Sequence, residues 1–366
     1  MGFTCGIVGL PNVGKSTIFN ALTSSSSAEA GNYPFCTIEP NQGRVFVPDE
    51  RVEKLSKINK SKQKLPTTLD FSDIAGLVKG ASKGEGLGNQ FLSHIRQVDA
   101  IVHVLRCFDD KNITHVNNNI NPLNDLEIVE TELMLSDLEM LERRLASNKK
   151  KFNINTKENK LLVQAIENSI VLLKKGKPVS KTNFTDEEFD EIRKLELITS
   201  KPIIYVCNVD ENSVNNGNKY SDAVNQYSNN NSRETIIISA EIESQVSQIK
   251  DFEEKKLFFE ELNITETGLS QIIKSGYSLL DLITFFTSGE KETKAWNIKN
   301  GTIASKAAGK IHTDFERGFI RAETISYSDY INCNGELEAK NQGKMRSEGK
   351  DYIVQDGDII NFRFNV

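Results

Sequence analysis

The sequence predicts an α/β protein of the P-loop NTPase class, in which a parallel sheet carries helices on both faces. Three observations predict this fold. The run Gly9–Ser16 fits the phosphate-binding loop pattern G-x-x-x-x-G-K-[ST] at every fixed position. Strand-like and helix-like segments alternate around it, which is typical of a parallel sheet. Between residues 125 and 197 the alternation stops and the leucine spacing becomes helical.

Apolar segments of strand length are predicted to build the sheet. Helical patterns at 88–98 and 220–228 lie between them and are expected to cover its faces. The predicted strands are Phe3–Val8, Thr68–Ile74, Ala100–Cys107, Ile203–Asn208 and Thr235–Ser239.

Three regions are expected along the 366 residues. Residues 1–282 are interpreted as the nucleotide-binding domain. Residues 125–197 are interpreted as a helical hairpin inserted in that domain, because they are far longer than an ordinary connection between two strands. Residues 283–366 are interpreted as a small α+β module.

The C-terminal module is predicted from a short helix among strands. Ala304–Ile311 has the helical pattern, and the polar stretch Thr287–Lys294 is interpreted as the join to the preceding domain. Asp351–Phe362 is predicted to form two strands joined by a tight turn at Asp356-Gly357.

Composition indicates a cytoplasmic protein. There is no apolar run long enough to cross a bilayer and no signal-peptide pattern, so no membrane partner is expected. The five cysteines are scattered, which favours reduced thiols over disulfides or zinc. The net charge of −6 gives no overall attraction for nucleic acid.

The phosphate-binding loop predicts the first group of ligand contacts. Lys15 is expected to reach the β- and γ-phosphates, and Ser16 to ligate Mg²⁺. Asn12 either places its carbonyl near a K⁺ ion that bridges the phosphates or only shapes the loop. The predicted nucleotide contacts of the loop are Asn12, Val13, Gly14, Lys15, Ser16 and Thr17.

A second motif, D-x-x-G, follows the apolar run that ends near residue 74. Its Asp73 is predicted to hold Mg²⁺ through water, and the N–H of Gly76 to meet the γ-phosphate. A switch of this kind also needs a threonine between the two motifs, and Thr37 is the candidate third metal ligand. The alternative is that Thr37 is a solvated loop residue.

The base-binding motif departs from the guanine-specific pattern N-K-x-D. Asn208 is kept, but Val209 replaces the lysine and Glu211 replaces the aspartate. The longer side chain misplaces the acceptor that guanine requires, so ATP is the expected nucleotide. Asn208 and nearby backbone groups are expected to satisfy adenine, and Ser239 and Ala240 to supply N–H groups near the base.

The catalytic group is not identified by the sequence. Leu77 occupies the position at which many switches carry a glutamine that orients the attacking water. Basal hydrolysis is therefore expected to be slow unless another group completes the site. Ser82 and Glu85, in the glycine-rich stretch that follows, are candidates.

Histidines show no metal-ligand spacing, and His103 is predicted to be a buried, hydrogen-bonded core residue. Basic residues form two clusters, which are either solvated faces or an RNA footprint. The first consists of Arg143, Arg144, Lys149, Lys150, Lys151, Lys157, Lys160, Lys174, Lys175 and Lys177. The second consists of Lys306, Lys310, Arg317, Arg321, Lys340, Lys344, Arg346 and Lys350.

These motifs together resemble the YchF subfamily of Obg-related P-loop NTPases over essentially the whole chain. The resemblance implies a helical coiled-coil arm, a C-terminal TGS domain of the β-grasp fold, preference for ATP over GTP, and association with ribosomes. Some members carry a histidine at the position of Ser82, so no histidine receives a catalytic role here. The residues that carry the resemblance are Gly9–Ser16, Asn32–Asn41, Asp73–Asn89, Asn208–Glu211, Ala308–Ala322 and Asp351–Val366.

The leading hypothesis is an Mg²⁺-dependent, ATP-hydrolysing switch that binds the large subunit or the whole ribosome (50S/70S) through its arm and TGS domain. K⁺ dependence is left open. The alternatives are an Obg-type GTPase, and a ribosome-binding module whose hydrolysis is incidental. A metabolic kinase is disfavoured because D-x-x-G and a switch threonine stand where an acceptor site and an arginine-rich lid would be needed.

Overall fold

The computed structural model describes residues 2–30, 41–74, 87–114, 119–148, 157–180, 183–249 and 251–365. Within these ranges the chain forms two six-stranded sheets and the helices around them. The strands are β1 Thr4–Val8, β2 Gln42–Phe46, β3 Gln63–Leu65, β4 Thr68–Asp73, β5 Ala100–Arg106, β6 Ile203–Asn208, β7 Glu234–Ile238, β8 Leu282–Ser288, β9 Glu292–Lys299, β10 Phe319–Ile325, β11 Arg346–Glu348 and β12 Ile359–Phe364.

Helices connect and cover these strands. They are α1 Lys15–Ala30, α2 Glu50–Asn59, α3 Leu87–Gln97, α4 Pro122–Asn148, α5 Lys157–Lys174, α6 Asp186–Arg193, α7 Lys219–Asn230, α8 Ala240–Gln248, α9 Phe252–Glu261, α10 Gly268–Leu279, α11 Ala304–Ile311, α12 Thr313–Arg317, α13 Tyr327–Asn332 and α14 Glu336–Asn341.

The first sheet has the order β2-β4-β1-β5-β6-β7. Its five strands from β4 to β7 are parallel, as predicted from the alternating pattern. The edge strand β2 was not predicted, and it runs antiparallel to β4. All residues of β5 and β6 are buried, which explains their continuous apolar sequences. Helices α1 and α10 pack on this sheet, as do α4 and α7.

The long helical region forms its own packed unit. Helix α4 has 27 residues, so it is about 40 Å long at 1.5 Å per residue. It packs against α5, and α5 packs against α6. Thr185 begins α6 with a capping box in which Glu188 is the reciprocal partner. The buried apolar residues of this unit are Leu141, Ala165, Ile166, Ile170, Leu173, Val179, Phe189, Ile192, Leu195 and Leu197.

The second sheet has the order β11-β10-β12-β8-β9-β3. Strands β8 and β9 form an antiparallel hairpin, α11 follows, and β12 returns beside β8 in parallel with β10 on its other side. This is the β-grasp arrangement. A hairpin is followed by a helix and then by two more paired strands, and the first strand lies beside the last. The mixed α+β character predicted for this part of the chain is confirmed.

Two details of the C-terminal prediction were wrong. The polar stretch Thr287–Lys294 does not join two domains, because it contains the turn of the β8–β9 hairpin, with Ser288 paired to Thr293. Its polar character arises from the turn, which is exposed at Glu290 and Lys291. Asp351–Phe362 does not form a hairpin either. Ile353 makes only an isolated bridge to Ile303, and the strand after Gly357 pairs with β10 and β8.

A segment of the first half of the chain belongs to the second sheet. Strand β3 pairs in parallel with β9, so that Gln63 lies beside Glu292. The preceding helix α2 contributes Arg51, which donates to Asp356 at 2.6 Å and lies over the ring of Phe286. The stretch between β2 and β4 therefore attaches the parallel sheet to the β-grasp module.

Candidate nucleotide-binding site

The loop between β1 and α1 has the backbone that its glycines allow. Gly9 and Gly14 have φ of +152° and +99°, and Asn12 has φ of +62°. A Cβ on Gly9 would lie 2.4 Å from the carbonyl oxygen of Val104, and a Cβ on Gly14 would lie 2.3 Å from Nδ2 of Asn208. Both positions thus require glycine for space as well as for conformation.

Lys15 begins α1 inside this loop. Its Nζ donates to the carbonyl oxygen of Leu10 at 2.7 Å, and the residue is only 7% exposed. Burial lowers the pKa of Lys15 to about 8, and the nearby carboxylate of Asp73 opposes part of that shift. The ammonium group thus binds a backbone carbonyl across the loop. In proteins with this loop pattern, the same lysine contacts the phosphates of the nucleotide.

Ser16 and Asp73 meet at the start of α1. Register pairing of β1 with β4 sets Ile7 beside Asp73, and Oγ of Ser16 donates to Oδ2 of Asp73 at 2.8 Å. A hydroxyl and a carboxylate are the hard oxygen donors that Mg²⁺ prefers. The pair fits a Mg²⁺ ion whose other ligands come from phosphates and water, as P-loop NTPases use it.

Several predicted residues lie outside the described ranges. These are Thr37, Gly76 and Leu77, together with Ser82 and Glu85. Within the described ranges no group of three or more His, Cys, Asp or Glu side chains is arranged to hold a metal ion.

Asn208 connects the phosphate-binding loop to α8. Its Nδ2 donates to the carbonyl oxygen of Val13 at 3.0 Å, and its Oδ1 accepts from the N–H of Ala240 at 2.9 Å. The residue is 4% exposed. The amide of Asn208 is therefore engaged with the protein on both sides, and the N–H of Ala240, which was expected to lie near the base, donates to Asn208.

The remaining base-site candidates surround this connection. Val209 is 3% exposed, and its N–H donates to Ile238 at 2.8 Å, so its side chain belongs to the core. Glu211 accepts from Nε2 of Gln245 at 3.0 Å. Ser239 caps α8. Gln245 was missed at the sequence level because a lone glutamine within a helix carries no motif.

Asn12 has an unpredicted partner. Its Nδ2 donates to the carbonyl oxygen of Thr114 at 3.2 Å, which ties the tip of the phosphate-binding loop to the segment after β5. That segment is held by Arg106, whose guanidinium donates to three backbone carbonyls, those of Phe108, Asp110 and Ile113.

His103 is buried as predicted, at 2% exposure, and burial lowers its pKa to about 4. The expectation that its hydrogen bonds are satisfied was wrong for Nε2, which has no partner among the described residues. Its neighbours explain this, because His103 lies inside an apolar strand and its ring contacts that of Tyr205.

Some of the basic residues in each cluster pair with carboxylates. In the arm, Arg143 pairs with Glu139 and Lys174 with Glu142. In the C-terminal module, Lys306 pairs with Glu316. Further ion pairs there join Arg321 to Glu323, Lys344 to Asp329, and Arg346 to Glu348 and Asp358. Lys149, Lys150 and Lys151 lie outside the described residues.

Within the described residues, no helix combines the length and apolar character that crossing a membrane requires. The four described cysteines, Cys5, Cys107, Cys207 and Cys333, are buried and form no disulfide among the described residues.

Comparison with known proteins covers the whole chain. A family model described as 50S ribosome-binding GTPase matches residues 4–136, and the model YchF-GTPase_C, described as a protein of unknown function (DUF933), matches residues 282–365. The "Ribosome-binding ATPase YchF" of Bacillus subtilis (strain 168) is 50% identical over 368 residues and covers 100% of both chains. The protein of the same name from Escherichia coli O157:H7 is 50% identical over 366 residues, again with 100% of both chains.

A solved structure gives the same result. The "Structure of the Schizosaccharomyces pombe YchF GTPase" superposes with a TM-score of 0.89 at 39% identity, and covers 99% of this chain and 98% of that one. On this similarity in sequence and fold, the chain belongs to the YchF family of P-loop nucleotide hydrolases.

Proposed function

We propose that this protein is an Mg²⁺-dependent ATPase that prefers ATP to GTP and binds ribosomes in a nucleotide-linked manner. The observation that carries the nucleotide preference is the chemistry after β6. The lysine slot of N-K-x-D holds the buried Val209, and the aspartate slot holds Glu211, whose carboxylate is paired with Gln245. Neither residue offers what a guanine-specific site requires. The names of the relatives differ on this point, since they include both ATPase and GTPase.

The nucleotide contacts follow from the same site. Residues 12–17 would cradle the phosphates, Asn208 would hold the loop in place, and Ser239 and Ala240 would border the base. Ser16 and Asp73 would hold Mg²⁺, with Thr37 as its third protein ligand and Gly76 at the γ-phosphate. The hydrogen bond between Ser16 and Asp73 supports the metal assignment. K⁺ at Asn12 is a further candidate.

Competitive binding of fluorescent ATP and GTP analogues in the presence of Mg²⁺ tests the preference. The double variant Val209→Lys with Glu211→Asp restores the guanine pattern and is expected to shift affinity toward GTP. Gln245→Ala is the matched control, because it removes the partner of Glu211 but no base-reading group. GTP preference in the wild type would overturn the proposal in favour of an Obg-type GTPase.

Ribosome binding is proposed for the arm, residues 125–197, and for the module 283–366, taken as a TGS domain, with rRNA as the contact. Support comes from the names of the relatives and from basic residues on both elements. Such a role would have the protein act in the cytoplasm. Because coupling between two ligands is reciprocal, ribosomes should alter nucleotide affinity or hydrolysis.

Co-sedimentation with 50S subunits and 70S ribosomes, with ATP, ADP or no nucleotide, measures this coupling. Lys15→Ala should remove the nucleotide dependence. Equal co-sedimentation in every state, unchanged by Lys15→Ala, would instead support a passive ribosome-binding module with incidental hydrolysis.

A further inference from the structure

Arg106 is the largest of the fully buried side chains among the described residues, at 1% exposure. It is the last residue of β5, and it lies beside Asn208 of β6 in the register of the sheet. Its hydrogen bonds within the described part of the chain all go to backbone carbonyls. Burying a guanidinium is costly, so the groups that it holds in place are informative about its role.

Three carbonyls of one short stretch converge on this guanidinium. Its Nε donates to the carbonyl oxygen of Phe108 at 3.2 Å, its Nη2 to that of Asp110 at 3.0 Å, and its Nη1 to that of Ile113 at 2.9 Å. The planar guanidinium presents its donors in a fixed geometry. Arg106 therefore sets the path of residues 107–114, which we call the connecting segment.

The connecting segment has few other sources of order. It contains neither helix nor strand, and residues 109 and 111–114 are exposed. Two polar contacts come from α7, where Nδ2 of Asn218 donates to the carbonyl oxygen of Cys107 at 2.7 Å and the hydroxyl of Tyr220 donates to Asp109 at 3.2 Å. Polar contacts, those of Arg106 above all, thus give the segment its shape.

The segment ends against the phosphate-binding loop. The carbonyl oxygen of Thr114 accepts from Nδ2 of Asn12 at 3.2 Å. Asn12 has φ of +62° and lies between Gly9 and Gly14, which also have positive φ. Backbone of this kind turns successive N–H groups toward an anion, but a side chain in the left-handed region is costly. The contact with Thr114 supports Asn12 in that conformation.

The tip of the loop is thus held from two neighbouring strands. Asn208, at the end of β6, donates to the carbonyl oxygen of Val13 at 3.0 Å. Arg106, at the end of β5, acts on the adjacent residue Asn12 through the connecting segment. Because Arg106 and Asn208 are paired across the two strands, both supports start from the same edge of the sheet.

We propose that Arg106 is a positioning residue for nucleotide binding, which holds Asn12 in the left-handed conformation of the phosphate-binding loop by way of the connecting segment. The proposal rests on nucleotide binding but not on a preference for ATP over GTP. Arg106 itself contacts no ligand. Without it the connecting segment would lose its shape, and the loop would have to be ordered when the phosphates bind, which costs affinity.

Equilibrium titration with a fluorescent ATP analogue and Mg²⁺ tests this role. Arg106→Gln should weaken binding about tenfold. Lys201→Gln is the matched control, because the ammonium of Lys201 also holds two backbone carbonyls, those of Arg96 and Val98, but just before β5 begins. It should change affinity less than about twofold. Urea denaturation verifies that each variant is folded. Unchanged affinity in folded Arg106→Gln would overturn the proposal.

A double-mutant cycle tests the route through Asn12. Asn12→Gly allows positive φ but removes the amide that meets Thr114, and should weaken binding about fivefold. The double variant with Arg106→Gln should be no weaker than about tenfold below the wild type, since both changes remove the same support, whereas independent effects would multiply to about fiftyfold. A fiftyfold loss would show that Arg106 does not act through Asn12.

Asn218→Asp carries the test if Arg106→Gln does not fold. One oxygen still caps α7, while the other faces the carbonyl oxygen of Cys107, to which Nδ2 now donates. Affinity should fall about threefold, with no further loss when Asn12→Gly already weakens the loop. Unchanged affinity, or losses that multiply, would contradict the proposal.

The choice of nucleotide separates this proposal from the preceding one. If the wild type binds a GTP analogue more tightly than the ATP analogue, the preference for ATP fails. The same variants are then measured with the GTP analogue, and the same ratios decide whether Arg106 positions the loop.

Discussion

Arg96 on α3 donates from Nη1 to Oδ1 of Asp137 on α4 at 3.0 Å, which joins the helix after the D-x-x-G segment to the base of the arm. Asp137 is fully buried and accepts three further hydrogen bonds, from the N–H of Ile198 at 3.1 Å and from the N–H and hydroxyl of Thr199 at 2.8 and 2.9 Å. The carboxylate thus joins α4 to α3 and to the segment at Ile198 and Thr199, and both of its oxygens accept hydrogen bonds.

Asp137→Asn should be strongly destabilising. Both oxygens of Asp137 now accept hydrogen bonds. In the variant one of them becomes an NH₂ group, which faces the donors that now meet that oxygen, and Arg96 loses its ion-pair partner. We expect the free energy of unfolding to fall by about 2–4 kcal/mol. Urea denaturation measures the loss. Glu139→Gln, on the same helix, breaks only the exposed pair with Arg143 and should stay within about 0.5 kcal/mol. A similar small loss for Asp137→Asn would show that the buried pair is not a stability determinant.

The fold could be predicted where apolar runs are continuous. Strands β5 and β6 are buried on both faces, so their sequences identify them without further context. The edge strand β2 was missed, because Gln42–Phe46 alternates exposed and buried residues over only five positions. Strand β3 was missed because Gln63–Leu65 is three residues long and exists through pairing with β9, 229 residues away along the chain for Gln63 and Glu292.

The candidate site divides in the same way. The loop residues and Asp73 belong to motifs whose spacing identifies them. The partners that tertiary structure supplies carry no such spacing. Gln245 meets Glu211 because α8 follows β7, and Thr114 meets Asn12 because the segment after β5 folds back on the loop. The engagement of Asn208 with both Val13 and Ala240 also depends on neighbouring strands and cannot be seen in the motif.

Gly14→Ala should abolish tight nucleotide binding. A methyl group there meets Nδ2 of Asn208 at 2.3 Å, and φ of +99° is strained for any side chain. We expect the affinity for ATP to fall at least tenfold, with a conformational cost of about 1–3 kcal/mol. Equilibrium titration with a fluorescent ATP analogue measures it.

Alanine substitutions at two other glycines serve as controls, because they separate backbone strain from steric contact. Gly301→Ala places a methyl at φ of +82° with nothing within 4 Å, and Gly289→Ala meets neither strain nor contact. Both should leave ATP affinity unchanged, although Gly301→Ala should lower stability. Normal affinity in Gly14→Ala would mean that the loop tolerates a shifted Asn208.

Asn208→Asp should weaken nucleotide binding while keeping the shape of the side chain. One oxygen still accepts from Ala240, but the other faces the carbonyl oxygen of Val13 where Nδ2 now donates. The loop would be pushed from α8, and we expect affinity to fall about tenfold or more. Asn215→Asp is the matched control, because Asn215 also donates to a backbone carbonyl, that of Leu262, but in an exposed position far along the chain from the loop. Equal effects of the two substitutions on affinity would argue against a positioning role for Asn208.

Lys15 should make nucleotide affinity fall above pH 8. Its pKa in the free protein is lowered to about 8 by burial, and only the protonated form attracts phosphate. Phosphates would raise that pKa in the complex, so binding takes up a proton once the free lysine is neutral. The dissociation constant for ATP should be level below pH 8 and rise by up to about tenfold for each pH unit above it. Titrations between pH 7 and 9.5 measure the profile.

The stability of the free protein should change in the opposite direction. A folded-state pKa below the unfolded value of 10.5 means that the unfolded chain binds more protons between pH 8 and 10.5, so Lys15 contributes stability that grows as pH rises through that window. Lys15→Arg keeps its charge throughout and should flatten the affinity profile, whatever its absolute affinity. Lys15→Met should remove this group's contribution to the pH dependence of stability. If the wild-type affinity stays level to pH 9.5, Lys15 keeps its proton throughout. That result would contradict a pKa lowered to about 8 by burial.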